Sequence, residues 1–194
     1  MNFNLDILRV ISNNVKPSVG KILISEPLLD DLYFGRSVVF LIDEVEDSFM
    51  GLVLNNTSDL LLKEVIDGFD NCDCPLFLGG PVNPDVLYYI HTYKNISDVE
   101  NISENLYFGG DLDEIRLLVS QGKLNNSNIK FFIGNAGWAP GQLCEEISFN
   151  SWLVSDVPRK FLFSNHLEMW SESLGFVSDR YQIWKNFPIN PDLN

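Results

Sequence analysis

The chain has 194 residues, 45% of them hydrophobic and 21% charged, with a formal net charge of −14. That length and balance suit one soluble globular domain with a sizeable core, and no apolar run approaches the ~18 residues of a membrane-spanning helix. The acidity is spread along both halves and no basic cluster exceeds Arg159-Lys160, so direct nucleic-acid binding, which needs cations to neutralise phosphates, is not expected.

Read in chain order, residues 2–12 place Phe3, Ile7, Leu8 and Ile11 at helical spacing, and Lys16-Pro17 ends that pattern. "KILIS" (21–25) is β-rich, and "EPLLDDLYFGR" (26–36) reads as a loop punctuated by Pro27, Asp30-Asp31 and Gly35. "SVVFLIDEV" (37–45) and "FMGLVLN" (49–55) are strong strands whose short separation suggests a hairpin. A helix is expected over 58–66, capped by Ser58 or Asp59. "PLFLGG" (75–80) and "DVLYYIHTY" (85–93) read as strands, with two prolines in "PVNP" disrupting pairing between them. Residues 94–104 are polar and read as a loop, followed by the short strand "NLYFGG".

"DLDEIRLLVSQG" (111–122) carries the clearest helix signals. Asp111 and Glu114 have capping-box spacing, and Gly122 sits where a helix stop belongs. "IKFFIGN" (129–135) is a strand, "PGQLCEEISF" a helix with Pro140 in its first turn, and "WLVS" a last strand. Residues 165–175 are helical, with Leu167, Trp170 and Leu174 on one face and Gly175 as the stop. The segment holding Phe161, Phe163, Trp170, Phe176, Tyr181, Trp184 and Phe187 must bury its apolar surface against the body or a second subunit. The expected organisation is one domain over 1–194, with 164–194 an aromatic-rich helical extension docked on it. Hairpins alternating irregularly with helices favour an α+β domain with a mixed sheet.

The sequence carries no conventional catalytic signature. The N-terminus lacks a secretory pattern, and three cysteines are too few for a disulfide framework. A cytoplasmic, reducing compartment follows, with Cys72 and Cys74 forming no obligatory disulfide. One Cys-x-Cys pair does not supply four zinc ligands, and no phosphate-loop or dinucleotide fingerprint is present. Neither metal nor cofactor is expected.

Six residues stand out as ligand-binding candidates: Arg36, Asn55, His91, Trp138, Gly141 and Gln142. Arg36 opens a buried-looking strand, so it either pairs with a core carboxylate or faces a ligand. Asn55 closes an apolar run and is suited to tying a turn by its side chain. Period two puts His91 on the face of Leu87, Tyr89 and Tyr93, either packed among aromatics or serving a site at the strand end. In "GNAGWAPGQLCEEI" (134–147), Gly137 can adopt positive φ and Trp138 can plug the corner against the sheet. Leu143 and Ile147 point inward, and Glu145 and Glu146 stay near water. The alternative is that free N–H groups at Gly141 and Gln142 make a weak anion site.

The ordered set "GKILIS…RSVVFLI", "GLVLN", "LGGPV", "IHT" and "GNAGWAPGQLCEEI…NSWL", covering about residues 17–163, resembles the YqgE/AlgH family of bacterial proteins. The resemblance implies an α+β fold with a strongly curved, barrel-like mixed sheet. It also implies a cytoplasmic regulatory or ligand-responsive protein rather than an enzyme, since members carry transcriptional-regulator labels and their biochemical activity is unsettled. The chain departs from the family pattern at Glu44, at Leu54 to Thr57 and at Cys144, where histidine, "LNRP" and glutamate are usual. Any transcriptional role would be indirect, through a protein partner or a small anionic ligand. The competing readings are an enzyme or binding protein for a small anion near Arg36, Asn55, His91 and Trp138, or an interaction module forming a homo-oligomer through the aromatic segment.

Overall fold

The computed structural model describes residues 11, 13, 15–70, 72–164 and 166–187. The helix expected at 2–12 lies, apart from Ile11, outside the described residues. Ten strands are described: β1 (Ile22–Ser25), β2 (Val38–Val45), β3 (Ser48–Val53), β4 (Thr57–Leu61), β5 (Pro75–Leu78), β6 (Val82–His91), β7 (Val99–Ser103), β8 (Leu106–Gly109), β9 (Ile129–Trp138) and β10 (Trp152–Ser155). Five α-helices accompany them: α1 (Leu62–Val65), α2 (Leu112–Ser120), α3 (Gln142–Ser148), α4 (Arg159–Leu162) and α5 (Met169–Val177). Short 3₁₀ segments at His166–Glu168 and Asp179–Asn186 flank the last helix.

The strands form one curled, half-barrel α+β sheet in the order β10-β1-β2-β3-β9-β6-β8-β7, with β4 and β5 attached beside β9. Every pairing is antiparallel except β5 with β9, so the sheet is mixed, as expected. Strand β9 is the hub. Residues 131–133 pair in parallel with β5, residues 129–133 pair antiparallel with β6, and residues 136–138 pair with β3.

The near-continuous apolar character of the central strands has a simple cause: both faces of the sheet are covered. Ile22, Ile24, Phe40, Leu52 and Phe132 join one core cluster with Trp170, Leu174, Tyr181 and Trp184. Leu23, Val39 and Leu41, alternating with them, face a second cluster with Trp138, Leu143 and Trp152. A third cluster gathers Phe69, Ile115, Leu118 and Phe131 under α2. The aromatic segment thus packs on the sheet through Trp170, Tyr181 and Trp184, each at most 5% exposed, while Phe176 is 38% exposed.

The β2–β3 hairpin forms as expected, closed by Glu46 and Asp47 at φ 50° and 62°. Two consecutive positive φ values give the turn a twist that matches the strands. In "LGGPV", Gly79 and Gly80 allow two backbones to touch: a methyl group on Gly79 would overlap the Gly134 carbonyl, and one on Gly80 would overlap Asn135. That motif is therefore a strand-crossing device.

Several expectations are corrected. Residues 57–61 form β4 rather than the start of a helix, because Ser58 Oγ donates to the Leu76 carbonyl at 2.9 Å and the chain pairs with β5. Only one helical turn, α1, follows. Residues 99–103 are a strand, not a loop: β7 pairs with β8 at the sheet edge and shows water a mostly polar surface. Strand β6 begins at Val82, within "PVNP", though its register slips between Val82 and Leu87. Asp111 caps α2 by accepting from the N–H groups of Asp113 and Glu114, both at 2.9 Å. The Glu114 side chain does not complete a capping box but accepts from Ser97. Leu167 is 76% exposed instead of facing the core, and α5 runs through Gly175 to Val177. Cys72 and Cys74 are joined in a disulfide. The Cys72 N–H donates to the Phe69 carbonyl at 2.8 Å, and that turn brings both sulfurs into the third cluster, a local geometry the compartment argument did not consider.

Candidate functional site

The corner at 134–147 is built as a closed structural clamp. Strand β9 runs on to Trp138, with Gly137 in extended backbone rather than at positive φ. Helix α3 begins at Gln142, two residues after Pro140, and Gly141 before it takes φ 78°. Trp138 is 5% exposed and stacks on Phe34 at 6.2 Å. Its indole donates to Glu146 Oε2 at 2.9 Å, and Trp152 donates to the same oxygen at 2.8 Å. Gln142 donates to the other oxygen of Glu146 at 2.9 Å and accepts from the Ala139 N–H at 3.0 Å. Glu146 is therefore half-buried rather than simply solvated; it binds two core tryptophans, one on each side of it in sequence.

The same geometry removes the premise of an anion site at this corner. The N–H of Gly141 donates to the Asp47 carbonyl and that of Gln142 to the Ala139 carbonyl, at 3.3 and 3.0 Å. Neither donor is free.

Arg36 and Asn55 meet at the start of β2. Asn55 Oδ1 accepts from the Val38 N–H at 2.8 Å, and its Nδ2 donates to the Arg36 carbonyl at 2.9 Å. Both ends of the amide are used, so Asn55 is a clasp. It ties back to the preceding strand rather than to the turn that follows it. Arg36 sits within that clasp at φ 50°, a conformation side-chain-bearing residues rarely adopt.

The Arg36 guanidinium lies 4.8 Å from the Trp170 ring centre and donates from Nη2 to the Phe187 carbonyl. Its Nε is buried without a hydrogen-bond partner, a condition shared among the described residues only by Nε of Arg116. Partial burial holds the guanidinium below its ordinary pKa. Around it opens a cleft of about 470 Å³, lined by Arg36, Asn55, Thr57, Trp170, Ser171 and Lys185, with Glu168 at its side. Glu168 is occupied by the Ser171 hydroxyl at 3.0 Å. Two cations and several neutral donors thus border one opening.

His91 and Trp138 do not line this cleft, so the four-residue site expected from sequence is divided. His91 is fully buried, among Tyr89 and Tyr107 at 6.4 and 5.9 Å. Its Nε2 donates to the Gly109 carbonyl at 3.0 Å and its Nδ1 accepts from the Tyr93 N–H at 3.3 Å. Burial pushes its pKa below the ordinary histidine value, against both backbone bonds. These partners make it a packed strand residue.

Sequence reasoning missed Lys130. The side chain is 5% exposed on β9, and Nζ lies 3.3 Å from the Leu162 carbonyl and 4.0 Å from the Phe77 ring centre. Desolvation pulls the amine down to about 7. Period two sets Lys130 on the face of Phe132, but only the folded sheet shows that both faces of this strand are buried.

No group of three metal-ligating side chains occurs among the described residues, and none of their helices is long and apolar enough to cross a membrane.

The AlgH-like family model matches residues 22–182, extending past the motifs into the aromatic segment. The chain is similar to a UPF0301 protein of Bacteroides fragilis, with 43% identity over 196 residues and 100% of both chains covered. A UPF0301 protein of Bacteroides thetaiotaomicron is 42% identical over the same span. Among solved structures, a Corynebacterium diphtheriae protein shares the fold with a TM-score of 0.75 at 24% identity, over 89% of this chain and 94% of that one. The solution structure of the AlgH protein from Pseudomonas aeruginosa gives 0.68 at 25% identity, over 90% and 98%.

Proposed function

Since this chain belongs to the AlgH-like family, a family of unsettled biochemical activity, we propose that it is a cytoplasmic, non-enzymatic, ligand-responsive regulatory protein whose ligand is a small anion bound in the Arg36 cleft. The observation that carries this reading is the buried, unpartnered Nε of Arg36. A buried donor left without an acceptor costs roughly 1–3 kcal/mol, and an anionic oxygen entering the cleft would supply that acceptor. Lys185 adds a second positive charge at the rim. The strained backbone at Arg36 and the clasp by Asn55 fix the guanidinium in advance of binding.

The response would pass to the C-terminal segment. Arg36 already touches Trp170 and the Phe187 carbonyl, so an anion bridging Arg36 and Lys185 would tighten that segment against β2. Burial of His91, with both ring nitrogens engaged, supports a binding role over acid–base chemistry. The charge of −14 favours an indirect part in transcription, because negative surface repels phosphate backbones.

Titration with inorganic phosphate, citrate and a nucleoside monophosphate, followed by calorimetry and Trp170 fluorescence, tests this reading. At least one anion should bind, and Arg36→Met should abolish binding while leaving the fold intact. Binding that survives Arg36→Met, or turnover of the bound anion, would overturn it.

A further inference from the structure

A second cavity shares no lining residue with the Arg36 cleft. Its volume is about 170 Å³, and Phe77, Phe131, Phe163 and Lys130 contribute to its lining. An apolar cavity of roughly 150 Å³ is large enough to hold a benzene ring. Its rim includes exposed Asn126 and half-buried Pro75, Phe163 and Ser164, so the space is reached from solvent.

Lys130 is an unusual lining residue. Its amine meets a carbonyl, a thioether and an aromatic face: Leu162 O at 3.3 Å, Met169 Sδ at 3.9 Å and the Phe77 ring at 4.0 Å. No carboxylate pairs with it among the described residues. A structural lysine buried this far normally has an acid partner, because an unpaired interior charge is costly. Without one, roughly half of the amine keeps its lone pair at pH 7 and most of it at pH 8, the form in which lysines attack carbonyl carbon.

We propose that Lys130 is a covalent capture site for a small uncharged aldehyde, of benzaldehyde size, held as an imine in this cavity. The Lys130 nitrogen attacks the aldehyde carbon, and the carbonyl oxygen becomes a hydroxyl. That hydroxyl leaves as water, taking with it both hydrogens of the neutral amine and leaving a carbon–nitrogen double bond. No oxidant or reductant takes part, and hydrolysis reverses the reaction. The apolar walls admit a neutral ring and reject a charged one, so selectivity comes from the cavity and reactivity from the desolvated amine.

The test uses the full chain at pH 8 with benzaldehyde, followed by cyanoborohydride trapping and peptide mapping. At that pH an exposed lysine is neutral only about 1% of the time or less, so Lys130 should be labelled roughly tenfold or more above exposed Lys94 and Lys123 despite its burial. The charged analogue 4-carboxybenzaldehyde should label the exposed lysines and spare Lys130. Filling the cavity through Phe163→Trp should suppress the Lys130 adduct while the far-ultraviolet circular dichroism is retained. Labelling that simply follows exposure, with Lys130 no higher than its neighbours, would overturn the proposal. So would equal labelling of Lys130 by the neutral and charged aldehydes. Neither result bears on anion binding at Arg36.

Discussion

Replacing Lys130 with Met is expected to make the folded chain more stable at neutral pH. Burial pulls the folded amine down to about 7, whereas an unfolded lysine titrates near ~10.4. Between these values the unfolded chain binds a proton that the folded chain does not. Stability is therefore lost as pH falls from about 10 toward about 7, and the full cost is present below that. Each pKa unit corresponds to ~1.4 kcal/mol, which sets a ceiling near ~5 kcal/mol. The Phe77 ring, 4.0 Å from Nζ, offsets about 1–2 kcal/mol of that whenever the amine is charged. Leaving the Leu162 carbonyl without its donor costs about 1 kcal/mol more. Met nearly matches the lysine stem, so no cavity opens. The net expectation is a gain of about 2–3 kcal/mol at pH 7. Urea unfolding of both chains from pH 6 to pH 9.5 measures it: the gap should be widest at the acid end and narrow as pH rises. A variant less stable at pH 7, or a gap constant with pH, would refute the reasoning.

Other outcomes follow from the corner, from His91 and from the C-terminal layer. Trp138→Ala should cost about 3–5 kcal/mol as a buried aromatic, and Glu146→Ala about 2–4 kcal/mol because two indole donors lose their acceptor; Gln142→Ala, at the exposed end of the same network, should cost about 1 kcal/mol or less in chemical denaturation. Because the folded pKa of His91 lies below its ordinary value, its contribution to stability should be lost as pH falls below about 6.5; His91→Gln should flatten that acid limb of the Tm profile, and an unchanged profile would count against the buried neutral ring. Truncation after Phe163 should lower Tm or solubility by uncovering the cluster around Phe40 and Leu52, whereas a truncated chain as stable as the whole would show that the segment contributes nothing to the core.

Much of this architecture is written locally. The β2–β3 hairpin is two runs of β-formers with a short polar break, and α2 announces itself by Asp111 and Gly122. β7 is not legible in the same way, because Val99–Ser103 is an edge strand whose pairing is set by β8 rather than by its own polar composition. β4 failed for a related reason: Leu60, Leu61 and Leu62 fit a helix or a strand, and Phe77 and Pro75 on β5 decide. At the candidate site, Arg36 and Asn55 were found because polar residues at the ends of apolar strands are visible in one dimension. The role of Glu146 was not, since its partners stand eight residues before it and six after it, and only the completed corner brings them together. Lys130 escaped for want of knowing which strand has both faces covered.

The placement of the C-terminal segment also sets an order of assembly. Leu162 and Met169 close over Lys130, and Trp170 closes over Arg36, yet these residues leave the ribosome after every strand of the sheet. During synthesis the face bearing Ile22, Phe40 and Leu52 waits uncovered until they emerge, the interval in which exposed apolar surface invites aggregation. Slow translation between Ser155 and Trp184 would lengthen that wait, so the nascent chain should hold a ribosome-bound chaperone until Trp184 has docked, and release it then.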